Sequence, residues 1–100
     1  MSTAALTVED VVRRYAEDIA YVAEGSPAAD PGTFTGQLGT AAERFEEAGV
    51  NGHEDVETAA VILNEVRNTD DEAARTALLG RAAELLRDVP DMADEYRTMV

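Results

Sequence analysis

The sequence predicts an all-α fold: a small antiparallel four-helix bundle followed by a short fifth helix at the C-terminus. Apolar residues recur at intervals of three and four along most of the chain, which is the spacing of one helix face. Breaks containing Gly, Pro, Asn or Asp separate these stretches, and short connections favour antiparallel neighbours. Stacked helical hairpins are the second interpretation, although no helical repeat pattern recurs. One hundred residues suit a single domain, residues 1–100.

The first helix is predicted to begin after Thr7, with residues 1–6 forming a frayed leader. Thr7 suits the N-cap, and two acids follow it in the first turn, where the helix dipole favours negative charge. Each acid precedes an arginine by four residues, which predicts the ion pairs Glu9–Arg13 and Asp10–Arg14. The apolar stripe of this helix consists of Val8, Val12, Tyr15, Ile19 and Val22.

The clearest break in the chain is residues 25–32, which contain two Pro and two Gly and are predicted to form a loop. The second helix is predicted over residues 33–48. Gly36 and Gly39 weaken its first turns, so they either let another helix approach closely or mark a later start near Thr40. Its inward face is predicted to contain Phe34, Leu38, Ala41 or Ala42, and Phe45.

Residues 56–66 are predicted to form the central helix that the others surround. This stretch holds the longest apolar run, Ala59 to Leu63, and five successive apolar residues cannot all lie on one narrow stripe. Asn51 and Glu54 are predicted to form a capping pair at the start of this helix. Its end is expected near Asn68.

Thr69 and Glu72 match the spacing of a capping box, which predicts the start of the fourth helix. Pro90 is predicted to break that helix, and residues 91–100 are predicted to form the short fifth helix. The buried face of the fourth helix is predicted to contain Ala74, Leu78, Ala82, Leu85 and Val89, supplemented by Leu79 and Leu86.

The chain is strongly acidic, with 21 acidic residues against 8 basic ones and a net charge of −13. Such a surface repels phosphates and anionic membranes, so direct binding to nucleic acid or membrane is not expected. Three explanations stay open: the compositional bias of a high-GC or salt-adapted proteome, an acidic surface that binds a basic protein partner, and mimicry of nucleic acid. Because the chain lacks signal-peptide features and a long apolar run, we expect a cytoplasmic protein.

Catalytic chemistry finds little support in the sequence. There is no Cys and a single His, and neither Ser2 nor Ser26 lies in a nucleophile elbow. We therefore expect a protein that is not an enzyme and holds no cofactor. The alternative is a divalent-metal-binding protein or small metal-dependent enzyme, in which carboxylates converge with an imidazole at the turn between helices two and three. The residues of this alternative are Glu43, Glu46, His53 and Glu57.

Met92, Tyr96 and Met99 form an apolar face with a polar hydroxyl on the last helix. Met and Tyr are both enriched at partner surfaces, although the same face could simply close the bundle. The sequence thus predicts an acidic, non-catalytic interaction module, an adaptor or regulatory subunit that binds a protein partner through its acidic surface and this face. A homodimer is also expected as an alternative. Replacing Tyr96 by Asp is expected to abolish binding while helicity survives.

Overall fold

The computed structural model describes residues 6–99, and every regular element in that range is an α-helix. The helices are α1 (Val8–Ala23), α2 (Pro31–Ala48), α3 (His53–Arg67), α4 (Glu72–Leu86) and α5 (Val89–Met99). Arg87 and Asp88 alone separate α4 from α5, and Arg87 keeps right-handed helical backbone angles, φ −52° and ψ −37°. The last two segments are therefore one bent helix, and the predicted small all-α bundle is confirmed.

A single cluster of apolar side chains, contributed by all five helices, fills the centre of the bundle. Phe34, Phe45, Ile19 and Leu63 are among its largest fully buried members. Leu6 is partly buried against this core, so the predicted frayed leader does not extend to it. The rest of that leader, residues 1–5, lies outside the described residues, as does the last residue of the predicted fifth helix. Within residues 6–99 no charged side chain is buried, so the acidity resides at the surface.

The start of α1 confirms Thr7 as the N-cap. Asp10 N–H donates to Thr7 Oγ1 and Thr7 N–H donates to Asp10 Oδ2, both at 3.1 Å, which is a complete capping box. The Thr7 backbone bond lowers the pKa of Asp10. This geometry directs the Asp10 carboxylate to Arg13, at 3.4 Å, and the predicted ion pairs of Glu9 with Arg13 and of Asp10 with Arg14 are not formed.

The connection between α1 and α2 is an extended segment that runs back along α1. Ala28 is buried, and together with Pro31 it lines a cavity of about 280 Å³ beside Arg13. Farther along α2, Arg44 Nη1 lies 2.9 Å from Glu24 Oε2 at the end of α1. Residues 24–30 are long enough to run from the end of α1 back to its beginning, where α2 starts, because an extended chain covers about 3.3–3.6 Å per residue. The expected antiparallel arrangement therefore does not hold for this pair.

The start of α2 lies two residues before the predicted one. Asp30 caps the helix by accepting a 2.9 Å hydrogen bond from Thr33 N–H, and Pro31 follows at the first position, where no N–H is needed. A Cβ on Gly36 or Gly39 would meet no atom within 4 Å. Both predicted alternatives are thus wrong, because the two glycines face open space and α2 begins well before Thr40.

Helix α3 is not the centre of the bundle, contrary to the prediction. It packs against α2 and α4, and Val61 in the middle of the apolar run is 62% exposed. The predicted capping pair of Asn51 and Glu54 is also wrong. The N-cap is Gly52, which has a φ of 99°, and no side chain caps the helix there. The chain turns sharply between the two helices at this point. The buried face of α3 contains Val56, Ala59, Ile62, Leu63 and Val66.

The start of α4 is capped by Asp71, which accepts a 2.8 Å hydrogen bond from Ala74 N–H. Thr69 instead donates its hydroxyl to the Glu65 carbonyl at the end of α3, at 2.7 Å, so the predicted capping box does not form. The bend between α4 and α5 precedes Pro90, which occupies the first turn of α5. The buried residues along this bent helix are Leu79, Ala82, Leu86, Val89, Met92, Ala93 and Tyr96.

Candidate partner-binding surface

Three large apolar side chains are exposed within the described part of the chain, and two of them adjoin Tyr96. Tyr21, on α1, is 44% exposed, and its ring centroid lies 6.5 Å from that of Tyr96. Met99, on α5, is 49% exposed and lines a cavity of about 320 Å³ together with Tyr96, Arg44 and Glu47. The third, Val61, lies on α3. Exposed apolar side chains thus gather where α1, α2 and α5 meet.

The structure divides the predicted face of Met92, Tyr96 and Met99. Met92 is 6% exposed, and its Sδ lies 3.2 Å from the position that a Cβ on Gly52 would take. Tyr96 is 9% exposed and packs edge-to-face on Phe45, with 5.9 Å between ring centroids. Met92 and Tyr96 therefore help to close the bundle, while Met99 is available to a partner.

Two arginines lie beside the two tyrosine rings, Arg97 beside Tyr21 and Arg44 beside Tyr96. Arg97 places its guanidinium carbon 4.6 Å from the centroid of the Tyr21 ring, and its Nη1 lies 3.0 Å from Asp94 Oδ1. Arg44, which lines a cavity with Tyr96, pairs with the carboxylate of Glu24, the C-cap of α1. The nearby Tyr96 hydroxyl raises the pKa of Arg44, which places this arginine of α2 beside α5. We call Tyr21, Tyr96, Arg97 and Met99 the Tyr21 patch.

Carboxylates surround the Tyr21 patch. Asp18 is partly buried, and this burial raises its pKa; the charges of Asp94 and Glu17 add to the rise, while Arg97 opposes it. Beside Arg44 lie Glu24 and Glu47. Five carboxylates thus face two guanidinium groups, an excess of negative charge around an apolar centre. We call these five residues the acidic rim: Glu17, Asp18, Glu24, Glu47 and Asp94.

The sequence-based prediction missed Tyr21 and Arg97. Tyr21 lies outside the buried stripe of α1, which includes Ile19 and Val22. An aromatic residue outside such a stripe is expected to be exposed, so the sequence alone could have indicated Tyr21. Arg97 follows Asp94 by three residues, a spacing that permits an ion pair within one helix. Their convergence depends on how α5 packs against α1, which no local pattern specifies.

The predicted carboxylate cluster is only partly assembled. Glu43, Glu46 and Glu57 line one cavity of about 340 Å³ between α2 and α3, and His53 is not among its lining residues. Across residues 6–99, no group of three or more His, Cys, Asp or Glu side chains is arranged to hold a metal ion. The geometry therefore gives the metal-binding alternative no support.

No helix within residues 6–99 combines the length and the apolar character that crossing a membrane requires. No family model, curated protein or solved structure matches this chain. The chemistry of the surface is accordingly the basis for proposing a function.

Proposed function

We propose that this protein is a non-catalytic helical interaction module, an adaptor or regulatory subunit, that binds a basic protein partner through the Tyr21 patch and its acidic rim. One observation carries the proposal: Tyr21 and Met99 are exposed, adjoin the same buried tyrosine and are ringed by carboxylates. Tyrosine is enriched at protein interfaces, and the flexible methionine side chain adapts to varied partner shapes.

The charge of the chain supports a basic partner. With a net charge of −13, the protein attracts positively charged surfaces over several ångströms and repels acidic ones. Complementary charge chiefly raises the rate of association and the specificity, while a desolvated apolar centre supplies affinity. The patch and its rim have this arrangement, an apolar centre inside a charged border.

Affinity capture with matched variants tests the proposal. The tagged full chain is incubated with a nuclease-treated native lysate and bound proteins are identified by mass spectrometry. We expect one stoichiometric basic protein that binds wild type and Val61→Ala but is depleted with Tyr21→Ala and Met99→Ala. Val61→Ala is the matched control, because it also removes an exposed apolar side chain, from α3.

The identity and behaviour of the captured protein separate the alternatives. Binding that weakens steeply with salt supports the charged rim, because salt screens exposed charges. A partner that itself binds DNA or RNA would indicate mimicry of nucleic acid. A chain that captures only itself would indicate a homodimer, which light scattering would detect. Equal capture by all four proteins would rule out the Tyr21 patch.

A further inference from the structure

We infer that the Tyr21 ring and the Asp94 carboxylate form a receptor for an arginine side chain of the partner, and that Arg97 occupies this receptor until the partner displaces it. The inference rests on the proposed function and specifies which partner group the Tyr21 patch recognises. In the free protein, the receptor would therefore be occupied by the protein's own Arg97.

The contacts of Arg97 show what the receptor offers a guanidinium group. The face of the Tyr21 ring lies 4.6 Å from its central carbon, and Asp94 Oδ1 lies 3.0 Å from Nη1. A ring face attracts a cation through its quadrupole, and a carboxylate accepts charge-assisted hydrogen bonds from the same planar group. Lysine reproduces this combination less well, because its compact ammonium group cannot stack flat on the ring as a guanidinium group does.

Arg97 is held weakly enough to be replaced. Its side chain is 49% exposed and that of Asp94 is 72% exposed, so solvent competes for both groups. Exposed ion pairs of this kind contribute little net stability. Arg97 lies two residues before the end of α5, and its displacement leaves the buried ring of Tyr96 in place.

The surroundings also accommodate a displaced Arg97. The Asp18 carboxylate interacts with Arg97 and lies close enough to Asp94 and Glu17 to be affected by their charges. Two carboxylates, those of Asp94 and Asp18, therefore interact with one guanidinium group in the free protein. When the partner's arginine pairs with Asp94, Arg97 can turn to Asp18, with which it already interacts. Each guanidinium group then retains a carboxylate, so the exchange leaves neither positive charge unpaired.

Calorimetric titration of the full chain with a synthetic amphipathic peptide of Arg and Leu residues tests the inference. The informative variant is Arg97→Gln, and its matched control is Arg81→Gln, an exposed arginine of α4 whose loss changes the net charge equally. We expect Arg97→Gln to bind the peptide roughly two- to fivefold more tightly than Arg81→Gln, since the ring and carboxylate are vacated. Circular dichroism verifies that both variants remain helical.

Two further comparisons make the test specific. Adding Tyr21→Ala to Arg97→Gln should abolish the gain, because the ring that the incoming guanidinium group contacts is then missing. A peptide with Lys in place of Arg should show less of the gain. Equal affinity of Arg97→Gln and Arg81→Gln, weaker binding by Arg97→Gln, or no peptide binding by any variant would overturn the inference. Loss of the captured partner with Tyr21→Ala would still uphold the proposed function, so the two can fail separately.

Discussion

Tyr96 packs edge-to-face against Phe45, with ring centroids 5.9 Å apart and ring planes at 88°, and this contact joins α5 to α2. Tyr96 also meets Tyr21 in the same edge-to-face geometry, at 6.5 Å. A row of three aromatic rings therefore runs from the core to the surface. Its inner members stabilise the bundle, and its outer member, Tyr21, is the one that a partner can contact.

The first prediction concerns the buried ring of this row. Tyr96→Ala should lower the free energy of unfolding by about 3–5 kcal/mol, because it leaves a cavity beside Phe45. Tyr96→Phe keeps the ring and should cost about 1 kcal/mol through the lost hydroxyl interaction. Urea unfolding followed by circular dichroism measures both. Similar losses for the two variants would contradict the packing role of the ring.

The same position changes an expectation drawn from the sequence. The sequence predicts that Tyr96→Asp spares helicity, but this replacement removes the ring that packs on Phe45 and places a charge at a site that is 9% exposed. We now expect this replacement to unfold the chain. Tyr21 and Met99 are the positions at which substitution tests binding without disturbing the core.

Replacing two glycines within α2 by alanine should stabilise the protein. Because a Cβ at Gly36 or Gly39 would meet no atom within 4 Å, alanine there restricts the unfolded chain without creating a clash. Each substitution should raise the free energy of unfolding by about 0.5–1 kcal/mol, measured by urea titration. A loss of stability would mean that these positions are closely packed after all.

The glycines of the turn between α2 and α3 should respond in the opposite way. Gly49 has a φ of 78° and Gly52 a φ of 99°, so alanine is strained at both and should cost about 1–2 kcal/mol. At Gly52 the new Cβ would also lie 3.2 Å from Met92 Sδ, whereas at Gly49 it meets open space. Gly52→Ala should therefore be the more destabilising of this matched pair. Equal effects would show that Met92 yields without cost.

The N-cap of α4 is tested by a pair of neighbouring substitutions. Asp71→Ala should cost about 1 kcal/mol, because the Ala74 N–H loses its acceptor. Asp70→Ala, one residue away and exposed, should change stability by less than about 0.5 kcal/mol. Thermal unfolding of the two variants compares them directly. A larger loss for Asp70→Ala would mean that the cap is assigned to the wrong residue.

Asp18, a member of the acidic rim, should make the stability of the folded protein depend on pH. Since the pKa of Asp18 is raised in the folded protein, chiefly by burial, its ionised form disfavours folding above that pKa and its protonation relieves the penalty. The groups facing it are Glu17, Asp94 and Arg97. Asp18→Asn should therefore raise the melting temperature at neutral pH. The gain should shrink as pH falls through the raised pKa and vanish below the ordinary pKa of an unfolded aspartate. The exposed Glu17→Gln is the control and should show a smaller gain.

Much of the fold follows from local patterns. The helix count and most of the buried stripes could be predicted, because burial on one side imposes the spacing of three and four, and the stripe of α1 is buried throughout. The caps of α3 and α4 were harder, because several residues capable of capping occur in succession and backbone geometry chooses among them. Gly52 is the N-cap of α3 because the backbone there has a positive φ, and Asp71 is the N-cap of α4 because its side chain lies beside Ala74 N–H.

The surface could not be predicted to the same degree. An apolar run such as Ala59 to Leu63 specifies a helix, but its neighbours in space decide which members are covered, and Val61 is not. For the same reason the sequence predicted both Met92 and Met99 as partner residues and could not separate the exposed Met99 from Met92, which α5 turns towards Gly52. Tyr21 becomes prominent only when α5 is placed beside α1.

The most direct test of the central claim is methyl nuclear magnetic resonance of the methionine side chains in complex with the captured partner. The chain contains three methionines, and Met99→Leu assigns the signal of the exposed one in α5. We predict that adding the basic partner shifts or broadens the Met99 signal while the buried Met92 signal stays in place. Saturating binding that leaves the Met99 signal unchanged would contradict the claim that the partner covers the Tyr21 patch.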